Sequence, residues 1–154
     1  MKVLLAGAFG HLGQDVLRSL IDDGHDVIAA DIAIRETAFD GYTPLAIDMT
    51  DAEKVKGCCE GVDAVITTMG LTKASETLTA YDIDFGANKN LLEEAKRAGV
   101  KNFSFISVLK ADQGRQVPML DAKAMFEEEL KGSGITWTIF RPTGPDRGRF
   151  LMSP

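Results

Sequence analysis

The chain has 154 residues, 45% of them hydrophobic and 26% charged, with a formal net charge of −6. That size and balance predict one packed domain over residues 1–154. They exclude a nucleic-acid binder, which needs a basic face to displace counterions. No apolar run is long enough to span a bilayer, and the N-terminal stretch is too short for a signal peptide, so a cytoplasmic protein without a membrane partner is expected.

In chain order, Lys2 is followed by Val3–Leu4–Leu5–Ala6, the apolar run of a buried parallel strand. A turn holding Gly7, Gly10 and Gly13 comes next, and then Leu12, Val16, Leu17, Leu20 and Ile21 recur at helical spacing. Gly24 suits the stop of that helix, with His25 as turn filler. Residues 26–30 read as a second strand ending on Asp31, and 32–42 as a loop. Residues 43–47 read as an edge strand, because Pro44 lacks an N–H. Thr50 and Glu53 have capping-box spacing, predicting a helix from Thr50 to about Glu60. Cys58 and Cys59 are neighbours within it; with no disulfide framework and no metal-ligand spacing, packing is their expected role and no metal is expected.

A fourth strand is predicted over 62–67, a polar loop over 70–79, and a long helix over 80–98 with Phe85, Asn88, Leu92 and Ala95 near one face. A fifth strand over 102–106 is followed by a polar loop to Pro118, which suits a first helical position. Met119, Ala122, Phe126 and Leu130 line one side of the next helix, and residues 135–139 form a sixth strand. The tail from Arg141 to Pro154 has no obvious element. This alternation predicts an α/β fold: a three-layer, doubly wound parallel sheet of about six strands, with right-handed crossovers.

The chemistry sits at the first turn. A strand running through glycines straight into a helix presents unpaired N–H groups and a partial positive charge to a phosphate. Glycines let the backbone approach a pyrophosphate closely. Asp31 lies roughly 20 residues beyond them, where a carboxylate meets the adenosine ribose hydroxyls; otherwise it merely solubilises a strand end. Its charge would repel a 2′-phosphate, favouring NAD over NADP, although Arg35 would offset that. His11 either shapes the loop or stands at its solvent edge.

The glycine spacing is Gly-x-x-Gly-x-x-Gly. Val3–Leu4–Leu5–Ala6–Gly7–Ala8–Phe9–Gly10–His11–Leu12–Gly13 resembles the fingerprint of extended and atypical short-chain dehydrogenases/reductases, a Rossmann-fold superfamily, and the similarity covers essentially the whole chain. Residues 82–103 are similar to that family's central helix and fifth strand. Residues 133–144, with Arg141–Pro142–Thr143–Gly144, resemble its NmrA-like branch. The resemblance implies a dinucleotide site made by Gly7, Ala8, Phe9, Gly10, His11, Leu12 and Gly13, by Asp31 and Ile32, by Asp48 and Met49 at the adenine, and by Thr68, Met69 and Gly70 beside the ribose. Asp48 is alternatively a solvated turn residue, with Thr50 as the cap. The resemblance also implies a dimer through the helices over 80–98 and 119–131.

The sequence departs from the family pattern in its chemistry. The family uses a Tyr-x-x-x-Lys pair in the helix after strand five, its Tyr hydroxyl acting as acid and base. Here Lys123 falls at the Lys position, but Met119 stands at the Tyr position, and a thioether carries no proton. The family's strand-five hydroxyls align with Ser107 and Val108, the catalytic member being the valine; Tyr42 and Tyr81 sit elsewhere. Ser107 and Lys123 are therefore the remaining catalytic and cofactor-binding candidates. Lys123 either binds ribose or is an exposed lysine near Glu127. The substrate-binding C-terminal portion is expected to be largely missing. Arg141, Arg147 and Arg149 either close over an anion or form a solvated surface.

Two functions follow as expectations. One is an NAD(P)-binding protein with a binding or redox-sensing role toward a partner protein. The other is an NAD-dependent oxidoreductase or epimerase on a small carbonyl or sugar-nucleotide substrate, with Asp112 or a bound water replacing the tyrosine.

Overall fold

The computed structural model describes residues 1–71 and 77–143. Its elements are β1 (Lys2–Ala6), α1 (His11–Asp22), β2 (Asp26–Asp31), β3 (Tyr42–Ala46), α2 (Ala52–Val55) and β4 (Ala64–Thr67), then a π-helix (Tyr81–Ala87), α3 (Asn88–Arg97), β5 (Asn102–Ile106), a 3₁₀ turn (Ala111–Gln113), α4 (Pro118–Lys131) and β6 (Thr136–Phe140). All six strands are parallel, in the order β3-β2-β1-β4-β5-β6. The order reverses between β1 and β4, and in such sheets a crevice opens there at the carboxyl ends of the strands.

Side chains alternate across the sheet and fill two cores. Leu4, Ala6, Val65, Phe103 and Phe105 face α2, α3 and α4, where Val55, Leu91, Leu92, Ala95, Phe126 and Leu130 close the layer. Leu5, Val27 and Ala29 face α1 through Leu17, with Val16, Leu20 and Ile21 packed at the margin. Burial on both faces explains why these strands are continuous apolar runs. Pro44 does lie on an edge strand, β3. Pro118 does open α4. Gly24, at φ +82°, does turn the chain after α1.

Three expectations about the elements are corrected. The helix expected from Thr50 to Glu60 is the four-residue α2, and its cap is Asp51, whose carboxylate accepts the Glu53 amide at 3.0 Å. Thr50 is turned back toward the preceding turn, its amide and its hydroxyl both donating to Asp48 Oδ1, at 3.0 and 2.6 Å. The long helix over 80–98 begins as a π-helix, a wider coil that is rare and common at functional sites. Met119 does not share the apolar side of α4. It is 37% exposed, whereas Ala122, Phe126 and Leu130 are fully buried.

Among the described residues no helix is long and apolar enough to cross a membrane. Arg147, Arg149 and Gly144, the tail beyond them, and part of the predicted 70–79 loop lie outside the described residues.

Candidate functional site: a glycine corner at the sheet reversal

The loop after β1 and the loop after β4 meet at the reversal and are stitched together. Thr68 sends its amide to the Ala6 carbonyl at 3.0 Å and its hydroxyl to the carbonyls of Ala6 and Gly7, at 3.1 and 3.0 Å. From the other side the amides of Gly7 and Ala8 donate to the Ala30 carbonyl, and the Phe9 amide donates to Asp31 Oδ2 at 3.0 Å. Asp31 Oδ1 takes the Ile32 amide at 2.8 Å. Asp31 is thus half-buried and fixed in the crevice wall, with each oxygen holding one backbone amide and retaining lone pairs for two hydroxyls. Besides ending β2, Asp31 thus ties the glycine loop to the strand end.

The three glycines of the corner are glycines for different reasons. A Cβ on Gly13 would sit 1.9 Å from the Gly7 carbonyl oxygen, so Gly13 lets α1 seat against the loop. A Cβ on Gly7 would sit 2.6 Å from Thr68 Oγ1, and its φ of +75° is left-handed. Gly10 has neither constraint. Its backbone is extended at φ −71° and ψ 173°, and the nearest atom to a Cβ would be 3.5 Å away. Gly10 is exposed and forms the N-cap of α1 with no side chain bonded to the helix amides. Gly10 therefore puts no side chain of its own over those amides, which suits a diphosphate, while Gln14 Nε2 holds the Phe9 carbonyl at 3.0 Å.

The other expected cofactor residues are distributed around this corner unequally. Ala8 and Phe9 are buried, with Phe9 edge-on to Tyr42 at 5.9 Å, so they offer only backbone. His11 and Leu12 open α1, His11 exposed and Leu12 half-buried. Ile32 is 66% exposed beside Asp31, an apolar surface at the rim. Met49 is buried in the core, and its carbonyl accepts Asn90 Nδ2 at 2.9 Å. Asp48 is turned into its own Thr50 turn, and the Thr50 hydroxyl, followed by the Thr50 amide, holds its carboxyl below the ordinary carboxylate range. Met69 and Gly70 follow β4 and are held by a buried staple. Thr67 Oγ1 donates to Asn88 Oδ1 at 2.7 Å and accepts the Met69 amide, while Asn88 Nδ2 reaches the carbonyls of Asp84 and Met69.

Lys123 and Ser107 are not exposed. Lys123 Nζ stands 2.7 Å from Asp84 Oδ1, with the two side chains 9% and 0% exposed. The approach is an ion pair set off the hydrogen-bonding direction, so Oδ1 is a buried oxygen held by charge alone, while Oδ2 accepts the Leu71 amide at 3.0 Å. Both groups press on Gly70, where a Cβ would lie 2.8 Å from Asp84 Oδ1 and 3.0 Å from Nζ. This overturns the reading of Lys123 as a solvated lysine near Glu127. Glu127 has other partners. The Ser107 hydroxyl donates to its Oε2 at 3.2 Å, and Arg141 Nε donates to its Oε1 at 2.8 Å. Arg141 also lies 3.5 Å from Asp112, so neither Arg141 nor Asp112 stands free as anion clamp or replacement acid. Glu127 first, through its hydrogen bond, pushes Arg141 above the ordinary guanidinium range. Tyr81 sends its hydroxyl to Asp121 at 2.8 Å on the surface.

Thr67, Asp84, Asn88 and Glu127 carry this bracing, and motif reading gave none of them a role. Burial of a polar residue on an otherwise apolar helical face, as for Asn88, is the one sequence signal that points to it.

With this geometry in view, the comparisons are specific. A family model described as NAD(P)H-binding matches residues 7–149. The chain is 32% identical over 147 residues to "Photosystem II assembly factor Ycf39" of Synechocystis sp., covering 94% of this chain and 45% of that protein. It is 31% identical over 158 residues to "Uncharacterized sugar epimerase YhfK" of Bacillus subtilis, covering 94% and 72%. The structure of Thermus thermophilus UDP-glucose 4-epimerase in complex with NAD superposes with a TM-score of 0.77 at 20% identity, covering 95% of this chain and 58% of that one. The chain spans about half the length of the assembly-factor relatives it matches.

Proposed function

The chain belongs to the NAD(P)H-binding family, and from that premise we propose that it binds NAD at the glycine corner for a binding or redox-sensing role rather than for hydride transfer to a substrate. The observation that carries this reading is the state of the expected proton relay. Met119, exposed on the first turn of α4, has no titrating group, while the two remaining candidates, Ser107 and Lys123, are each occupied by a buried carboxylate. A bound nicotinamide supplies the capacity to take or give a hydride, but no described side chain stands ready to move the accompanying proton. In this reading the α1 amides hold the diphosphate, Asp31 holds the adenosine ribose, and Thr68, Met69 and Gly70 line the second ribose. Asp48 and the Met49 backbone border the adenine.

The test is a titration of NADH against the full chain, followed by nicotinamide or Trp137 fluorescence, beside an assay of NADH oxidation with carbonyl compounds. Saturable binding without turnover is expected. Turnover would favour the second reading, an oxidoreductase or epimerase, which the sugar-epimerase name of the Bacillus relative supports. We further propose a cytoplasmic protein, and a dimer through the faces of the helices over 80–98 and 119–131, which sizing in solution checks.

Asp31→Ala tests the ribose assignment. Loss of the Phe9 amide bond should weaken both nucleotides, but loss of the charge should move the NADPH-to-NADH affinity ratio toward NADPH by about tenfold, the scale of one hydrogen bond to an ionised group. An unchanged ratio removes Asp31 from the ribose.

A further inference from the structure

Away from the glycine corner the fold brings together three ligating groups that sequence spacing could not connect. Cys58 and Cys59 lie in the turn after α2, and Glu94 is on α3, a little under two turns from the Asn88 staple, about 9 Å along the helix axis. Their ligand atoms, two Sγ and a carboxylate oxygen, all lie within 4.8 Å of one another. The two sulfurs are 3.8 Å apart. Two thiolates at about 2.3 Å from a tetrahedral Zn²⁺ stand about 3.8 Å apart, so the pair already spans one edge of that polyhedron.

We propose that Cys58, Cys59 and Glu94 form a site for a single thiophilic divalent cation of the Zn²⁺ class. The turn is held in place for it: Glu94 Oε2 accepts the Cys59 amide at 3.1 Å, which fixes the carboxylate beside the sulfurs. Cys59 and Glu94 are buried while Cys58 is half-buried, so the ion enters from the Cys58 side, where a water would complete a tetrahedron. On binding, two S–H bonds break, two metal–sulfur bonds form, and two protons leave to solvent. Glu94 adds the third bond by turning an oxygen away from Arg97, which now holds both, Nε on Oε1 at 2.6 Å and Nη2 on Oε2 at 3.1 Å. Arg97 is half exposed and also bonds Glu60, so it has a second carboxylate to hold when it yields Glu94.

The experiment is a Co²⁺ titration of the reduced full chain, read by the thiolate-to-cobalt charge-transfer band, with Zn²⁺ then added to displace the cobalt. One Co²⁺ per chain, a band lost in Cys58→Ser and in Cys59→Ser, and affinity at least about tenfold weaker in Glu94→Gln are expected. Arg97→Gln, which frees Glu94, should tighten binding. A missing band, a band surviving both serine variants, or equal affinity in Glu94→Gln overturns the site. Cys58→Ser carries the test should the buried positions not tolerate change, because Cys58 is the least enclosed of the three. NADH binding should be unaltered in Cys58→Ser, which keeps this proposal separate from the dinucleotide site.

Discussion

Gly10→Val is expected to lower NADH affinity by more than about 100-fold while leaving the chain folded. Two hydrogen bonds from helix amides to a charged phosphate, at roughly 1.5–3 kcal/mol each, account for a loss of that size. The fold itself has no use for a glycine at this position. Its backbone angles are ordinary for valine, and a Cβ meets nothing closer than 3.5 Å. The isopropyl group would fill the approach to the α1 amides. The informative contrast is Gly13→Ala, whose single methyl would collide with the Gly7 carbonyl at 1.9 Å. That variant should lose stability and binding together. Thermal melting beside fluorescence titration separates the two effects. NADH binding at parental strength in a folded Gly10→Val protein would remove the diphosphate from the corner.

Asp84→Ala is expected to destabilise the chain by about 3–5 kcal/mol, because it leaves the Lys123 ammonium buried without its counter-charge. Urea unfolding measures this, and the double variant Asp84→Ala/Lys123→Met should recover part of the loss, because no uncompensated charge remains. A loss below about 1 kcal/mol in the single variant would show that the ammonium reaches water, as a solvated lysine does. The same pair bears on the ligand. Lys123 contacts a ribose only by sharing its charge with Asp84, so Lys123→Met should weaken NADH about tenfold if the ammonium holds that hydroxyl. Unchanged affinity would leave Lys123 as a brace beneath Gly70.

The corner was legible in the sequence because its parts are nearly contiguous. A buried strand, three glycines and an amphipathic helix follow one another within 21 residues, and Asp31 ends the next strand. The fifth strand was legible to the residue, since Phe103 and Phe105 alternate with polar neighbours just after the helix-ending Gly99. The brace was not legible. Asp84 and Lys123 are on separate helices, and Ser107, Glu127 and Arg141 come from the end of β5, from α4 and from the end of β6, so no local period links them. The π-helix has no side-chain period of its own and read as ordinary helix. At Thr50 and Asp51, two adjacent residues both offered an oxygen for capping. Asp51 accepts the Glu53 amide, while the Thr50 hydroxyl is turned back to donate to Asp48.

The reversal in strand order also orders events during folding. β1 borders β2 within a short stretch of chain, but its other neighbour, β4, lies some 60 residues downstream. Closing that larger loop costs entropy before any ladder bond is returned, so pairing of β1 with β4 belongs to the slow part of assembly. A growing chain that has released only β1, β2 and β3 has the first glycine turn but lacks the Thr68 hydroxyl that ties it down. Nucleotide capture is therefore a late property of the nascent protein, and NADH added during refolding should leave the folding rate unchanged and slow unfolding instead.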